Sequence, residues 1–290
     1  MYPTAAQING IIDDALAEDA PWGDLTSETL IPPDARATAT LTAREDGVFS
    51  GGAVFTAAFL RIDPGTQIDI RVADGSRFAS GDVLAEMSGS ARSVLRAERI
   101  GLNLVQRMSG IATLTSRYVA AVAGTGVRIV DTRKTTPGLR MLEKKAVRDG
   151  GGHNHRATLS DAVMVKDNHL AVLLAEGLSV TEALRAARSH LPHTTHIEVE
   201  VDRVDQIPDV LAAGVDSIML DNFSLEQLRE GVALIGGAAI VEASGRVSLD
   251  TVSDIAGTGV DVISVGALTH GVRSLDLGLD VTVRPSGNAR

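Results

Sequence analysis

The chain has 290 residues, of which 44% belong to the AVILMFWYC set and 22% are charged, with a net charge of -10 at pH 7; that balance fits a folded globular protein of one large or two ordinary domains and excludes a disordered segment. Its acidity argues against a broad phosphate-binding face for nucleic acid, and an aromatic content of 3%, with Trp22 the one tryptophan, supplies no base-stacking platform. Cysteine is absent, which excludes disulfides, thiolate metal sites and a Cys nucleophile.

The opening stretch, MYPTAAQINGIIDDALAEDA, has no basic segment ahead of an apolar core, so it does not read as a secretion signal, and no apolar run approaches a membrane span. A cytoplasmic protein is expected. Thr4 and Gln7 fit a capping box, and Ile8, Ile11, Ile12, Ala15 and Leu16 follow at helical spacing. The spacing predicts an amphipathic first helix that stops before Pro21 and Gly23. From Arg36 to Ser88 come short β-rich pieces, ATATLTA, GVFSGG and QIDIRVA, parted by turn signals at Asp46, Asp74 and Ser80. Residues 91–109 return to helical spacing, with Leu95, Leu102, Val105 and Met108 on one side. Residues 1–109 are expected to form a compact α+β domain.

Beyond about residue 126, β-branched runs alternate with helical stretches: VRIVDT, VMVKD, HIEVEV, SIMLD, AIVEAS and VISVG. The last four recur roughly every 20 residues, the length of a βα unit, and their near-continuous apolar character suits strands of a parallel sheet buried on both faces. Periodicity does not choose between a barrel and a doubly wound sheet. Either architecture places its ligand at the carboxyl ends of the strands. Those ends carry Asp131-Thr-Arg133-Lys134, Lys166-Asp-Asn-His169, Glu198 and Glu200, Asp221-Asn222, Glu242-Ala-Ser244-Gly245, and Ser264-Val-Gly266. A charged residue after a strand often only caps a helix, but polar chemistry at all six ends points to one site.

One segment departs from the acidic background. DTRKTTPGLRMLEKKAVRDGGGHNHR, residues 131–156, holds seven Lys and Arg against three acids. A helix starting at Pro137 or Gly138 and stopping at Gly150 is expected, with Leu139, Leu142 and Ala146 as its apolar stripe; Lys144, Lys145 and Arg148 are read as its solvated face. Arg133 and Lys134 directly follow a buried strand, and His155 and Arg156 follow a triple-glycine loop. Arg forks onto carboxylate and Lys offers a point charge suited to phosphate, so Arg133, Lys134, His155, Arg156 and Lys166 call for a ligand with several negative charges. A metal site at His153 and His155 is the competing reading, without a neighbouring ligand of familiar spacing. Glu200 and Asp221 end successive strands and are hard oxygen ligands suited to Mg²⁺, and they would equally pair with the cations. Ser244-Gly245 and Ser264-Val-Gly266 suit a phosphate, or packing alone.

The segment at 131–156 with LSDAVMVKDNH resembles the signature of the quinolinate phosphoribosyltransferase family, and EDAPWGDLT, AERIGLNLVQRMSGIAT, EVEV, IMLDN, EASG and VDVISVGALTH extend the resemblance over most of the chain. It implies an α/β protein: an N-terminal α+β sandwich domain (1–109, joined by 275–290) and an irregular six-stranded β/α barrel (110–274). It implies a homodimer and conversion of quinolinate and phosphoribosyl pyrophosphate, with Mg²⁺ and no organic cofactor, to nicotinate mononucleotide, pyrophosphate and CO₂. Arg133, His155, Arg156 and Lys166 would then hold the carboxylates of quinolinate, with Arg99 entering from the partner subunit. Lys134 would meet the pyrophosphate. Glu200 and Asp221 would address Mg²⁺ and the ribose. Ser244, Gly245, Ser264 and Gly266 would lie near the 5′-phosphate, and His270 at the rim. Arg246, where relatives often carry Asn or Gly, and Gly271, where Ser is common, depart from the pattern. Three other readings stay open: transfer to another aromatic carboxylate, a barrel enzyme with Lys166 as Schiff-base nucleophile, and a catalytically silent anion-binding protein.

Overall fold

A computed structural model describes residues 3–175 and 177–284. The chain forms two compact units, one of Met1–Ser116, Thr135–Gly151 and Gly271–Arg290, the other of Arg117–Lys134 and Gly152–His270. The strands, in chain order, are β1 (Arg36–Ala43), β2 (Gly47–Val48), β3 (Gln67–Ile70), β4 (Arg77–Phe78), β5 (Val83–Ser90), β6 (Arg128–Val130), β7 (Val163–Val165), β8 (Ile197–Val201), β9 (Ser217–Asp221), β10 (Ile240–Ser244), β11 (Val262–Ser264) and β12 (Leu277–Arg284).

In the first unit, β12-β1-β5-β3 form an antiparallel sheet and β2 pairs with β4. Along β1 the alternation is that of a sheet with one wet face: Ala37, Ala39, Leu41 and Ala43 are buried between outward Arg36, Thr38, Thr40 and Thr42. The first helix, Ala5–Asp19, has the expected Thr4–Gln7 capping box and buries Ile8 and Ile12. The helix Gly52–Ile62 buries Phe55 and Phe59, whose ring centroids lie 4.9 Å apart. β12 pairs with β1 from Leu277 to Arg284; residues 285–290 of the C-terminal segment expected to join this domain lie outside the described residues.

The sequence reading needs three corrections here. The helix expected over 91–109 runs from Ala91 to Ala121. Its apolar spacing continues through Gly110, where a Cβ would sit 2.3 Å from the Arg273 carbonyl oxygen, so the glycine marks a close contact and not a boundary. Second, the helix expected to start at Pro137 or Gly138 begins at Arg140 and runs to Asp149; by contacts it groups with the first unit. Third, its cations are not a solvated face. Lys144 and Lys145 are buried, with Lys145 Nζ 2.5 Å from Asp74 and 2.6 Å from Asp149, and Arg107 Nε lies 2.7 Å from buried Glu143. Charge density on a helix does not reveal the acids that neutralise it from elsewhere in the chain. The helix does stop at Gly150 as expected, though not in the left-handed conformation: φ is −76, and a Cβ there would lie 2.4 Å from the Ala112 carbonyl oxygen.

In the second unit the six anticipated runs make one parallel sheet, ordered β6-β11-β10-β9-β8-β7. Ile197, Val199, Val201, Ile218, Leu220, Val241, Ala243 and Ile263 are buried on one face of it. Among the described residues no ladder joins the edge strands β6 and β7; a parallel bridge instead ties Val130 of β6 to His153.

Candidate active site

Side chains alternate along a strand, so the apolar parity just named leaves Met164, Glu198, Glu200, Met219, Asp221, Glu242, Ser244, Val262 and Ser264 on the opposite face. That face bounds a cavity of about 410 Å³ lined by Thr132, Arg133, Lys134, His155, Arg156, Met164, Lys166, Glu200, Met219, Asp221, Glu242, Ser244 and Ser264. Every strand, or the residues directly after it, contributes. Cations predominate near the ends of β6 and β7, and acids and hydroxyls line the remainder.

Local contacts explain how the cationic arc is held. Asp131, fully buried after β6, accepts from the backbone N–H of His155 at 2.9 Å and from Asn154 Nδ2 at 2.6 Å. The two ends of the clamp are thereby tied together. Arg156 donates from Nη1 to the Ala162 carbonyl at 2.9 Å, and burial, then the neighbouring Arg133 charge, lowers its pKa. Lys166 Nζ lies 2.5 Å from Glu200, an ion pair at the cavity wall that suits a charge aimed at an anion better than a Schiff-base amine. Asp221 accepts from Asn222 at 2.6 Å.

Beneath the arc, two acids that the strand-end reading named without giving them a role meet His155. His155 Nε2 is 2.9 Å from Glu198 and 3.6 Å from Glu242, on β8 and β10. Burial, then the Glu198 charge, pushes Glu242 up to about 8. Burial also acts to raise Glu198, but its hydrogen bonds with His155 and Glu242 outweigh it and hold Glu198 below the usual carboxylate value. Ser264 approaches Glu242 closely enough to favour its charged form, yet neither Glu242 Oε1 nor Ser264 Oγ completes a hydrogen bond. Parity carried the signal: Glu198 and Glu242 stand two residues before Glu200 and Ser244. His153, the other half of the metal reading, is exposed and bridges β6 through its backbone.

Gly245, Gly266 and His270 do not line the cavity but adjoin it. Gly245 has φ +95, and a Cβ there would meet Asn222 Oδ1 at 2.3 Å, so the turn after β10 requires glycine. Gly266 sits where a Cβ would come within 3.2 Å of both His270 and Lys134, and Thr269 donates to the Lys134 carbonyl at 2.7 Å. Arg99 is exposed on the helix Ala91–Ala121 of the first unit.

Comparison with known proteins is decisive at this point. Residues 24–109 match the family described as quinolinate phosphoribosyl transferase, N-terminal domain, and residues 111–280 its C-terminal domain. The chain belongs to the quinolinate phosphoribosyltransferase family. A probable nicotinate-nucleotide pyrophosphorylase (carboxylating) of Bacillus subtilis is 42% identical over 277 residues, covering 96% of this chain and 94% of that protein. The nicotinate-nucleotide pyrophosphorylase (carboxylating) of Mycobacterium leprae is 46% identical over 276 residues, 92% of this chain and 94% of its own. The crystal structure of NadC from Streptococcus pyogenes superposes with a TM-score of 0.92 at 41% identity, over 98% of this chain and 99% of that one. That likeness spans the residues of both the parallel six-stranded sheet and the separate antiparallel one.

Proposed function

We propose that this chain transfers a phosphoribosyl group from phosphoribosyl pyrophosphate to the ring nitrogen of quinolinate, with loss of CO₂, giving nicotinate mononucleotide and pyrophosphate for NAD biosynthesis. Family membership supports the reaction, and one observation carries the assignment of residues: Arg133, Arg156 and Lys166 line the same cavity as Glu200 and Asp221. A dianion has its counter-charges on one side. The opposite side offers what a ribose and a phosphate need.

In this reading Arg133 and Arg156 fork onto the two carboxylates, which offsets the burial and, after it, the mutual repulsion that lower the Arg156 pKa. Lys166 closes the anion site and Lys134 meets the pyrophosphate. Glu200 and Asp221 are hard oxygen donors at the ends of adjacent strands, each keeping an oxygen beyond its hydrogen bond, and they fit Mg²⁺ held partly through water. Bound Mg²⁺ would neutralise charge on the departing pyrophosphate. Ser244, Gly245, Ser264 and Gly266 are placed at the 5′-phosphate and His270 at the rim. The residues' main work is positioning the ring nitrogen against the ribose carbon and stabilising the leaving group. Once ribosylated, the cationic ring nitrogen stabilises the electron pair left on the adjacent ring carbon as CO₂ departs, and a proton taken up at that carbon completes nicotinate mononucleotide without a Schiff base.

We also propose that the parallel sheet curls into an irregular barrel: one imidazole reaches Glu198 and Glu242 across the intervening strand β9, and one cavity collects residues from all six strands. The homodimer is a further proposal, supported by Trp22, Leu25 and Leu30, which are 91%, 78% and 72% exposed and offer a second copy an apolar surface. Arg99 would enter the partner's cavity. Mixing Arg99→Ala and Lys134→Ala protomers should then restore activity at a fraction of sites; failure to complement refutes the shared site.

Release of ¹⁴CO₂ from carboxyl-labelled quinolinate tests the reaction. Release should require both the phosphoribosyl donor and Mg²⁺. Release without the donor, or none with both present, overturns the assignment.

A further inference from the structure

We infer that Glu198 and Glu242 are positioning residues that hold the His155 imidazole as a brace behind Arg156, so that His155 acts on the substrate through Arg156 and not by a direct hydrogen bond. The inference rests on the quinolinate reading for its consequence, and on geometry alone for the brace.

Both ring nitrogens of His155 have protein partners. The backbone N–H of Arg156 points at Nδ1 at 2.8 Å. A backbone amide only donates, so Nδ1 must accept, and the ring proton of the neutral imidazole sits on Nε2. Nε2 faces Glu198 at 2.9 Å, with Glu242 at 3.6 Å. An Nε2–H directed at an ionised Glu198, with a protonated Glu242 bound to the same carboxylate, satisfies this arrangement. The ring thus spans from the sheet's inner face to the main chain of the arginine that begins the next segment. Asp131 fixes the same segment one residue earlier, through the His155 N–H. Arg156 is held at three points: its amide, the amide before it, and its guanidinium on Ala162.

His155, Glu198 and Glu242 also lie close enough together to ligate a metal, their donor atoms all within 4.8 Å of one another. The ring proton decides against it. A metal on Nε2 needs the lone pair there, and a ligating histidine usually donates its other N–H to an acceptor. Here the second nitrogen meets a donor. The buried carboxyls therefore orient a histidine, and Glu242 Oε1 and Ser264 Oγ, buried without partners, mark the floor on which that orientation is set.

Two measurements test the brace. The ¹⁵N spectrum of imidazole-labelled protein, with His155 assigned by the signal lost in His155→Gln, should show the Nε2–H tautomer without added metal. An Nδ1–H tautomer, or a signal displaced by bound metal and restored by chelation, overturns the inference. In kinetics, Glu198→Met should raise the KM for quinolinate on the order of tenfold and leave the KM for the phosphoribosyl donor within about twofold. Glu198→Gln, which keeps an acceptor for Nε2–H, should do less. In an Arg156→Lys background, Glu198→Met should add little. Equal rises for both substrates, or fully additive losses, refute it. Should Glu198→Met not fold, Glu198→Gln carries the same comparison. Wild-type protein that releases no CO₂ sinks the assigned reaction, while the spectrum still decides the brace.

Discussion

Two clusters of buried charge, one in each unit, differ in a way that separates stability from function. In the first unit Lys145 lies between Asp74 and Asp149; Ser50 donates to Asp149 at 2.6 Å, and Asp74 accepts the backbone N–H groups of Gly51 and Gly52 at 3.0 and 2.9 Å. The opposite charges meet in one closed network. Burial acts to lower the Lys145 pKa, but both aspartates outweigh it and hold it high. In the second unit Glu198 and Glu242 face each other with one histidine between them, and Glu242 Oε1 and Ser264 Oγ remain unbonded beside a cavity. Desolvation is costly in both places. The first cluster recovers it within the fold, and the second leaves polar capacity for the site.

The largest expected effects break this contrast from opposite sides. Arg133→Ala or Arg156→Ala should lower quinolinate turnover by roughly a thousandfold, about 4 kcal/mol at the transition state, with little loss of stability, because a cation at a cavity wall is held for its ligand. Steady-state kinetics together with thermal unfolding measures both quantities; near-normal kcat/KM in either variant sinks the clamp. Lys145→Met should do the reverse. Removing the cation leaves two carboxylates facing each other in a buried place, costing about 3 kcal/mol of folding stability by urea titration, while kcat per folded molecule is unchanged. Loss of turnover in excess of the unfolded fraction would place Lys145 in the site.

A smaller effect tests whether the second cluster holds its proton. Glu242 has a folded pKa of about 8, raised from 4.5. Between those values the folded chain binds a proton that the unfolded chain releases, so this group's stabilisation is complete below the lower value and is lost as pH rises through the upper one. Glu198 is shifted the other way; its contribution is present above the ordinary carboxylate value and lost as pH falls through its depressed one. It therefore acts below the Glu242 window. Glu242→Gln keeps a neutral group, so its stability relative to wild type should climb across pH 5 to 8, by at most about 1.4 kcal/mol per pH unit. Parallel urea-stability profiles would mean that Glu242 is ionised in the fold, and that the second cluster is closed like the first.

The residues that could be read in advance are those whose role follows from local order. Thr4 and Gln7 cap a helix because they are three apart, and Arg133, Lys166, Glu200 and Asp221 converge because each ends a strand of one parallel sheet. Lys144 and Lys145 were misread for the complementary reason: Asp74 lies 71 residues from Lys145, and no helical periodicity points to it. Glu198 and Glu242 lie between these cases. They were legible as strand-end acids, but no local pattern gave them a role, because that comes from His155, which reaches both from another part of the chain. Asp131 was visible beside Arg133, and its two hydrogen bonds across the chain were not.

The smallest expected effect concerns the turn after β10, where the second unit carries backbone strain as well as unmet polar atoms. Asn222, which follows β9 and packs against Gly245, and Arg246, which follows Gly245, are the non-glycine residues with positive φ among those described, at 59° and 49°, with Gly245 at 95°. Asn tolerates this region and Arg does not, which gives a physical reason for the Asn or Gly expected in relatives at position 246. Arg246→Asn should therefore stabilise the protein by about 0.5 to 1 kcal/mol, measured by urea unfolding. Kinetics then assigns the strain. An unchanged KM for the phosphoribosyl donor makes the arginine a tolerated local cost. A raised one shows that its guanidinium reaches the donor, and that the second unit carries backbone strain, like its open carboxyl pair, for the sake of the ligand.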